Sequence, residues 1–197
     1  MLCYFCSMPS HKPFCSACFV QMQPRFRLLP AMPNICLGGY LYSYTPVIRF
    51  IMHDVKFRGN QRLLSVFKSQ LLNGMVPPIF FDSDSLVLVR SHWLRQLFRG
   101  PSHLRTLLAP LVQMADRSLD TYLARHRYSR SSYLLNRMER EAAHAVHRFS
   151  WNGPSHIRSV TIFDDICTTG STLIEIARLL KSQGIDTVKV LVVSYVD

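Results

Sequence analysis

The stretch that decides the fold of this chain lies near its end and reads Val160-Thr161-Ile162-Phe163-Asp164-Asp165-Ile166-Cys167-Thr168-Thr169-Gly170-Ser171-Thr172. Residues 159–163 have the apolar side chains of a buried strand, and residues 172–183 repeat apolar side chains at the spacing of a helix. Gly184 is placed to end that helix, and the apolar run over residues 187–195 predicts a second strand. A strand, a helix and a strand in this order predict a βαβ unit and therefore a parallel sheet.

The loop between this strand and helix has the chemistry of a phosphate site beside a site for a diol. A helix N-terminus presents backbone N–H groups without intrahelical partners, and the hydroxyls of residues 168–172 add donors. Gly170 permits a close approach of the backbone. Asp164 and Asp165 can accept hydrogen bonds from vicinal hydroxyls, such as those of a ribose. Together these features predict a ribose phosphate ligand; a Walker-B-like acidic strand end and an ordinary strand-turn-helix are the alternatives.

Three residues around this loop have expected structural roles. Thr172 and Glu175 have the spacing of a capping box, in which the two side chains bond reciprocally to backbone N–H groups. Cys167 is expected to be a small filler of the loop instead of a nucleophile.

Upstream of this unit, the apolar pattern predicts further elements of the same domain. Two helices are expected over residues 47–55 and 63–71, with a break at Gly59-Asn60. Residues 86–89 read as a buried strand, and another helix is expected over residues 104–114. We therefore predict an α/β fold with a parallel sheet flanked by helices.

The first part of the chain differs because residues 1–39 hold five of the six cysteines together with several prolines. Prolines interrupt regular structure, and too few apolar positions remain for an independent core. This segment therefore needs a cross-link to be stable. We expect a small zinc-binding segment over residues 1–39 and one α/β domain over residues 40–197.

Four of these cysteines form two Cys-x-x-Cys pairs that are separated by eight residues, namely Cys3, Cys6, Cys15 and Cys18. This spacing predicts a tetrahedral four-thiolate site that holds a structural Zn²⁺ ion. A redox pair or four buried thiols are the alternatives. His11 could replace one ligand but is expected to be a solvated loop residue. Cys36 is expected to be a lone buried thiol, with a relic of a second cysteine pair as the alternative.

Composition and charge bound the function. The chain has 197 residues, 48% hydrophobic and 18% charged, which is typical of a packed globular domain. Its 23 Lys and Arg exceed its 12 Asp and Glu, so the net charge is +11 and favours a polyanionic partner. No apolar run approaches the roughly 18 residues that cross a bilayer, and the N-terminus lacks a secretory signal pattern. We expect a cytoplasmic protein, where cysteine pairs bind metal more often than they form disulfides.

The stretch quoted at the outset closely resembles the signature of type I phosphoribosyltransferases. The resemblance implies a phosphoribosyltransferase-like sheet, with phosphoribosyl pyrophosphate (PRPP) and Mg²⁺ as ligands. It implies that the loop binds the 5-phosphate and that the acidic pair binds the ribose, so the predicted ligand residues are Asp164, Asp165, Thr168, Thr169, Gly170, Ser171 and Thr172. The pyrophosphate contact would fall on Arg90, Ser91 and His92. No general base stands out, so we expect PRPP binding more than turnover.

The whole chain is similar to the ComF (ComFC) family of competence proteins. Besides the cysteine knuckle and the signature, the matching segments are Lys56-Phe57-Arg58-Gly59, Arg99-Gly100 and Leu135-Asn136-Arg137-Met138-Glu139-Arg140. The family's usual Phe-Asn-Gln after Arg99-Gly100 is absent. The resemblance implies single-stranded DNA handling during natural transformation, at the inner face of the inner membrane, with a competence helicase and a membrane DNA channel as partners. A weak oligomer is a further expectation.

Two alternative functions stay open. One is an active phosphoribosyltransferase that acts on a base or amine acceptor, and the other makes the cysteine segment a docking module for a protein partner.

Basic residues near aromatic rings are the candidates for DNA contact, because cations neutralise phosphates and rings stack on unpaired bases. The predicted DNA-binding residues are Lys56, Arg58, Arg90, Arg95 and Arg99. Neighbouring candidates are Phe57, Arg62, Trp93 and Phe98, with Arg125, His126, Arg127 and Arg130 further along the chain.

Overall fold

The structure is a computed structural model that describes residues 1–89, 103–125 and 148–196. Its elements in chain order are α1 (Ser16–Val20), β1 (Arg27–Leu28), β2 (Leu37–Ser43), α2 (Pro46–His53), a π-helical turn (Asp54–Arg58), α3 (Gln61–Leu72), a 3₁₀ turn (Pro78–Phe80), β3 (Ser85–Leu88), α4 (His103–Met114), β4 (Leu123–Arg125), β5 (Phe149–Trp151), β6 (Ser159–Cys167), α5 (Ser171–Ser182) and β7 (Thr187–Tyr195).

A five-stranded sheet forms the centre of the molecule, with the strand order β1-β2-β7-β6-β3. The strands β2, β7, β6 and β3 pair in parallel, and only the short edge strand β1 is antiparallel to its neighbour. The strands β4 and β5 form a separate antiparallel pair. These pairings confirm the predicted α/β class with a mostly parallel central sheet.

Both faces of the sheet are buried, because successive side chains of a strand point to opposite sides. In β7, Val188, Val190 and Val192 pack in one cluster with the apolar face of α5. Leu191 and Val193 of the same strand pack in another cluster with α2, α3 and α4. The helices therefore flank the sheet on both faces.

The helix boundaries follow from local residues. Thr45 caps α2 by accepting a hydrogen bond from the Ile48 N–H at 3.3 Å. Gly59 ends the π-helical turn with a φ of 63°, and Asn60 caps α3 by accepting from the Leu63 N–H at 3.1 Å. The two helices and their break at Gly59-Asn60 are confirmed.

The cysteine-rich segment packs against the main domain. Phe14, Cys18 and Met22 are buried in the same cluster as the inner faces of α2 and α3. Because β2 begins at Leu37 and pairs with β7, the predicted division after residue 39 falls inside a strand of the central sheet. The division into two units stays a prediction.

Among the residues that the structure describes, no helix is long and apolar enough to cross a membrane.

Candidate functional site

The two carboxylates of the predicted ligand site lie near the carboxyl end of β6, which continues to Cys167 and so extends four residues beyond the predicted strand end. The Asp165 N–H donates to Asp164 Oδ1 at 2.8 Å, and the Ile166 N–H donates to Asp165 Oδ1 at 2.9 Å. Carboxyl ends of parallel strands are where open α/β sheets bind ligands. The acidic pair therefore lies at the edge that such ligands use.

Two basic side chains from other elements meet at Asp165. The Lys56 Nζ on the π-helical turn makes a short ion pair with Asp165 Oδ2. The His103 Nε2, on the first residue of α4, lies 3.4 Å from the same oxygen. The Lys56 and Asp165 side chains are 28% and 14% exposed, so their ion pair is only partly screened by water.

The two carboxyls have opposite pKa shifts. Burial, and then the charge of Asp165, raises the pKa of Asp164 well above its usual value. Burial acts to raise the pKa of Asp165 as well, but its hydrogen bonds and charge interactions with His103 and Lys56 outweigh burial and lower the pKa. Asp165 is therefore the ionised member of the pair, and Asp164 holds a proton more readily.

A buried carboxylate braces the turn that carries Lys56. Asp54 is 5% exposed, and its oxygens accept hydrogen bonds from Arg58 Nη1 at 3.1 Å and from Asn60 Nδ2 at 2.9 Å. These bonds tie the first residue of the turn to its last residue and to the start of α3. Lys56 is thereby held where it reaches Asp165.

The loop after β6 leads into α5 without a side-chain cap. Gly170 is the N-cap residue with a φ of 71°, and a Cβ at this position would lie 2.6 Å from Met32 Sδ. The hydroxyls of Thr169 and Ser171 are 3.2 Å apart and exposed. The helix start thus combines backbone N–H groups with hydroxyl donors, which suits an anion.

The predicted capping box is wrong. Glu175 accepts a short hydrogen bond and ion pair from Arg148 instead of reaching back to the helix start. An arginine offers a full charge and two parallel donors, so it competes effectively with a single backbone N–H.

Two further cysteine predictions have different outcomes. Cys167 is buried at the end of β6, and burial raises the pKa of its thiol, which fits a structural residue instead of a nucleophile. Cys36 was expected to be buried but is exposed, with its Sγ donating to the Val188 carbonyl at 3.1 Å. Cys36 lies one residue before β2, whose first residues are only partly buried, and so stands outside the buried middle of the strand.

The predicted DNA-contacting residues divide into two groups. Lys56 lies in the acidic site, and Arg58 is 72% exposed while pairing with Asp54. The remaining predicted DNA-binding residues, Arg90, Arg95 and Arg99, lie outside the described part of the chain. The predicted pyrophosphate contacts Arg90, Ser91 and His92 also lie outside it, as do the additional basic candidates His126, Arg127 and Arg130. The local sequence pattern does not point to His103 as a site residue, because nothing in it relates this residue to a carboxylate 62 residues away.

The four predicted zinc ligands form a second cluster at the N-terminus. Their sulfur atoms all lie within 4.8 Å of one another. The Ser7 N–H donates to the Cys3 carbonyl at 3.1 Å, and Ser7 has a φ of 58°, so the chain turns back after Cys6. Cys15 and Cys18 lie at the N-cap and within the helix α1.

The geometry of this cluster fits a zinc ion. Four thiolates at about 2.3 Å from a tetrahedral zinc lie about 3.8 Å from one another. The Cys6 and Cys15 sulfurs are 3.6 Å apart. Four thiolate ligands leave no open coordination position, so an ion held here would be structural.

Together, the fold and the two clusters define an α/β protein with a mostly parallel sheet, an acidic pair at its carboxyl edge and a four-cysteine cluster compatible with structural zinc. The chain is similar to the DNA utilization protein YhgH of Salmonella typhimurium (28% identity over 224 aligned positions, covering 96% of this chain and 94% of that protein). It is also similar to the DNA utilization protein YhgH of Escherichia coli K12 (28% identity over 206 positions, covering 96% and 82%). No protein-family model matches the chain.

Proposed function

We propose that this protein takes part in DNA uptake and utilization as a ComF-type competence protein, and that it handles single-stranded DNA. The observation that carries the proposal is the similarity over 96% of the chain to proteins named for DNA utilization. The net charge of +11 supports it, because Lys and Arg that neutralise phosphates bind nucleic acid without sequence preference. The inner face of the inner membrane, the competence helicase and the DNA channel belong to the same proposal through the family resemblance.

The acidic site is proposed to bind PRPP with Mg²⁺. Asp164 and Asp165 would accept from the ribose hydroxyls, and the loop over residues 168–172 would hold the 5-phosphate. The arrangement of the loop supports this role, because exposed hydroxyls stand beside a helix start without a side-chain cap. Mg²⁺ takes oxygen ligands, several of which are usually water. The carboxylates of this site could supply protein ligands for the ion.

The N-terminal cluster is proposed to hold Zn²⁺ as a structural ion. Its four sulfurs would fix two chain turns that are also joined by the hydrogen bond from the Tyr4 N–H to the Pro13 carbonyl, and Phe14 and Cys18 would carry that order into the main core.

The DNA role is tested by fluorescence anisotropy of a labelled single-stranded oligonucleotide titrated with the zinc-loaded full chain at several salt concentrations. We expect a dissociation constant that rises steeply with salt, since each neutralised phosphate contributes a slope of about 0.7 on logarithmic axes. Addition of Mg²⁺ and PRPP then reports on any coupling between the two sites. Absence of binding at physiological salt would refute the DNA role.

The matched control for the ligand is the double variant Asp164→Asn with Asp165→Asn. It keeps the size of both side chains while it removes their charge, so any effect of PRPP on DNA binding should disappear in this variant.

A second candidate function is phosphoribosyl transfer to a base or amine. It is favoured by one observation, the presence of a titratable imidazole, His103, 3.4 Å from Asp165. The reaction would form a bond from the acceptor nitrogen to C1 of the ribose and release pyrophosphate. Pyrophosphate release above background with a base or amine acceptor, lost in His103→Gln, would establish it; a background rate with all acceptors would exclude it.

A further inference from the structure

A row of aromatic rings runs from the cysteine cluster along α2 to the π-helical turn. It consists of Phe5, Phe50, His53 and Phe57, and we call these four residues the aromatic row. The ring centroids of Phe5 and Phe50 are 5.6 Å apart, and those of His53 and Phe57 are 4.7 Å apart. Phe50 and His53 are three residues apart on α2, so they are neighbours on one helix face. The aromatic row therefore consists of two ring pairs whose members on α2 share one helix face.

The aromatic row lies on the outer side of α2. The inner side consists of Val47, Ile48, Ile51 and Met52, which are at most 4% exposed. By contrast, Phe57 is 49% exposed, Phe5 is 36% exposed and His53 is exposed as well. Core packing thus accounts for the inner side of the helix and for part of Phe50, which packs against the core, while Phe5, His53 and Phe57 remain exposed.

The segment that carries the aromatic row is basic. Residues 1–53 contain four Lys and Arg and no Asp or Glu. Arg49 and Arg58 are exposed and stand at the two ends of the stretch that carries Phe50, His53 and Phe57. The first acidic residue of the chain, Asp54, is 5% exposed and bonded to Arg58 and Asn60. This segment itself therefore repels a negatively charged partner little, and the charge of Asp165 in the adjoining acidic site is offset by Lys56.

We infer that the aromatic row is a stacking platform for unpaired bases, so that the cysteine segment and the π-helical turn together form a single-stranded DNA interface. This inference rests on the proposed DNA role and gives that role a location in the described part of the chain. Aromatic rings stack on any base, and flanking cations track the backbone, which produces binding without sequence preference. A purely apolar protein partner would not need the excess of positive charge.

The platform also adjoins the acidic site. Phe57 follows Lys56 directly in the π-helical turn, and Lys56 pairs with Asp165. DNA that stacks on Phe57 thus lies one residue from the side chain that contacts the proposed ligand site.

The test compares single-stranded oligonucleotide binding by four full-length, zinc-loaded proteins: wild type, Phe57→Ala, Phe57→Tyr and Met75→Ala. Phe57 lies outside the cysteine segment and is half exposed, so its removal leaves zinc binding intact. We expect about a tenfold higher dissociation constant for Phe57→Ala at every salt concentration, with an unchanged salt slope, since a ring neutralises no phosphate. Phe57→Tyr should bind as the wild type does, because it restores the ring. Met75 is 90% exposed and lies outside the row, so Met75→Ala is the control for loss of an exposed apolar side chain.

A second variant tests the other component of the interface. Arg49→Gln should lower the salt slope by about 0.7, because one phosphate contact is lost. Phe57→Ala should weaken binding by the same factor in the Arg49→Gln background as in the wild type, because the rings remain. Normal binding by the wild type together with identical affinities for Phe57→Ala and Met75→Ala would overturn the platform and leave the DNA role standing. Absence of binding by the wild type itself would instead refute the DNA role.

Discussion

Removal of the lysine from the Lys56 and Asp165 ion pair is expected to destabilise the protein in a pH-dependent way. In Lys56→Met the side chain keeps its length but loses its charge, so the ionised Asp165 stays 14% exposed and keeps His103 as its basic partner among the described residues. An exposed ion pair contributes up to about 1 kcal/mol, whereas breaking a fully buried pair costs about 3–5 kcal/mol. The partial exposure of both side chains places this pair between the two cases, so we expect a loss of about 2 kcal/mol at pH 7.

The pH dependence has a definite sign. In the wild type the pKa of Asp165 lies below its unfolded value, so the pair stabilises the fold above pH of about 4 and this contribution is lost as the pH falls through the folded pKa. In Lys56→Met the main opposing charge is gone, and burial of Asp165 then favours its protonated form. The difference in stability between the two proteins should therefore be full at pH 7 and be lost as the pH falls below about 4 toward the folded pKa of Asp165.

Urea unfolding followed by circular dichroism measures this difference. A change of about 2 kcal/mol moves the midpoint by about 1 M when the denaturant slope is about 2 kcal/mol per M. A double-mutant cycle with Asp165→Asn isolates the pair, because Lys56→Met should cost much less once the carboxylate is neutral. Equal midpoints for wild type and Lys56→Met at pH 7, or the same cost of Lys56→Met in both backgrounds, would refute the reasoning.

Three further outcomes are expected. Chelation of zinc, or Cys3→Ser, should make residues 1–22 sensitive to protease while most helical circular dichroism is retained, because the later strands pair within the central sheet; global loss of helix would contradict this. Gly170→Ala should lower stability by about 1–2 kcal/mol and weaken PRPP binding in calorimetry, since φ is 71° and the new Cβ would lie 2.6 Å from Met32 Sδ; wild-type behaviour would show that the loop relaxes freely. The double variant Asp164→Asn with Asp165→Asn should abolish calorimetric PRPP binding with an unchanged circular dichroism spectrum, and unchanged PRPP affinity would remove the site assignment.

Local patterns were sufficient for three strands of the sheet and for the parallel βαβ unit, but they did not predict β1 or β2. The apolar run over residues 187–195 coincides with β7, and helical periodicity located α3 and α5 to within about two residues. These predictions succeed because burial on one or both faces imposes a period on neighbouring residues. The end of β6 was placed four residues too early, since Asp164 and Asp165 interrupt the apolar pattern while their backbones still pair with β7.

The acidic site was predictable only in part. The carboxylates and the glycine of the loop follow one another in sequence, so their proximity can be read from spacing alone. The partners of Asp165 cannot, because Lys56 is 109 residues away and His103 is 62 residues away. The aromatic row could not be predicted from the sequence either, because the contact between Phe5 and Phe50 forms only when the cysteine segment packs on α2.

By itself, the sequence determined the α/β class, the parallel βαβ unit, the four-cysteine spacing and the excess of positive charge. Each of these depends on residue type and on short separations along the chain, where periodicity and ligand spacing act directly. Only the tertiary structure decided that Lys56 and His103 converge on Asp165. It also decided that Glu175 pairs with Arg148 instead of capping its helix, and that Cys36 is exposed. The physical reason is that these contacts join distant segments, whose approach is set by the packing of whole helices on the sheet.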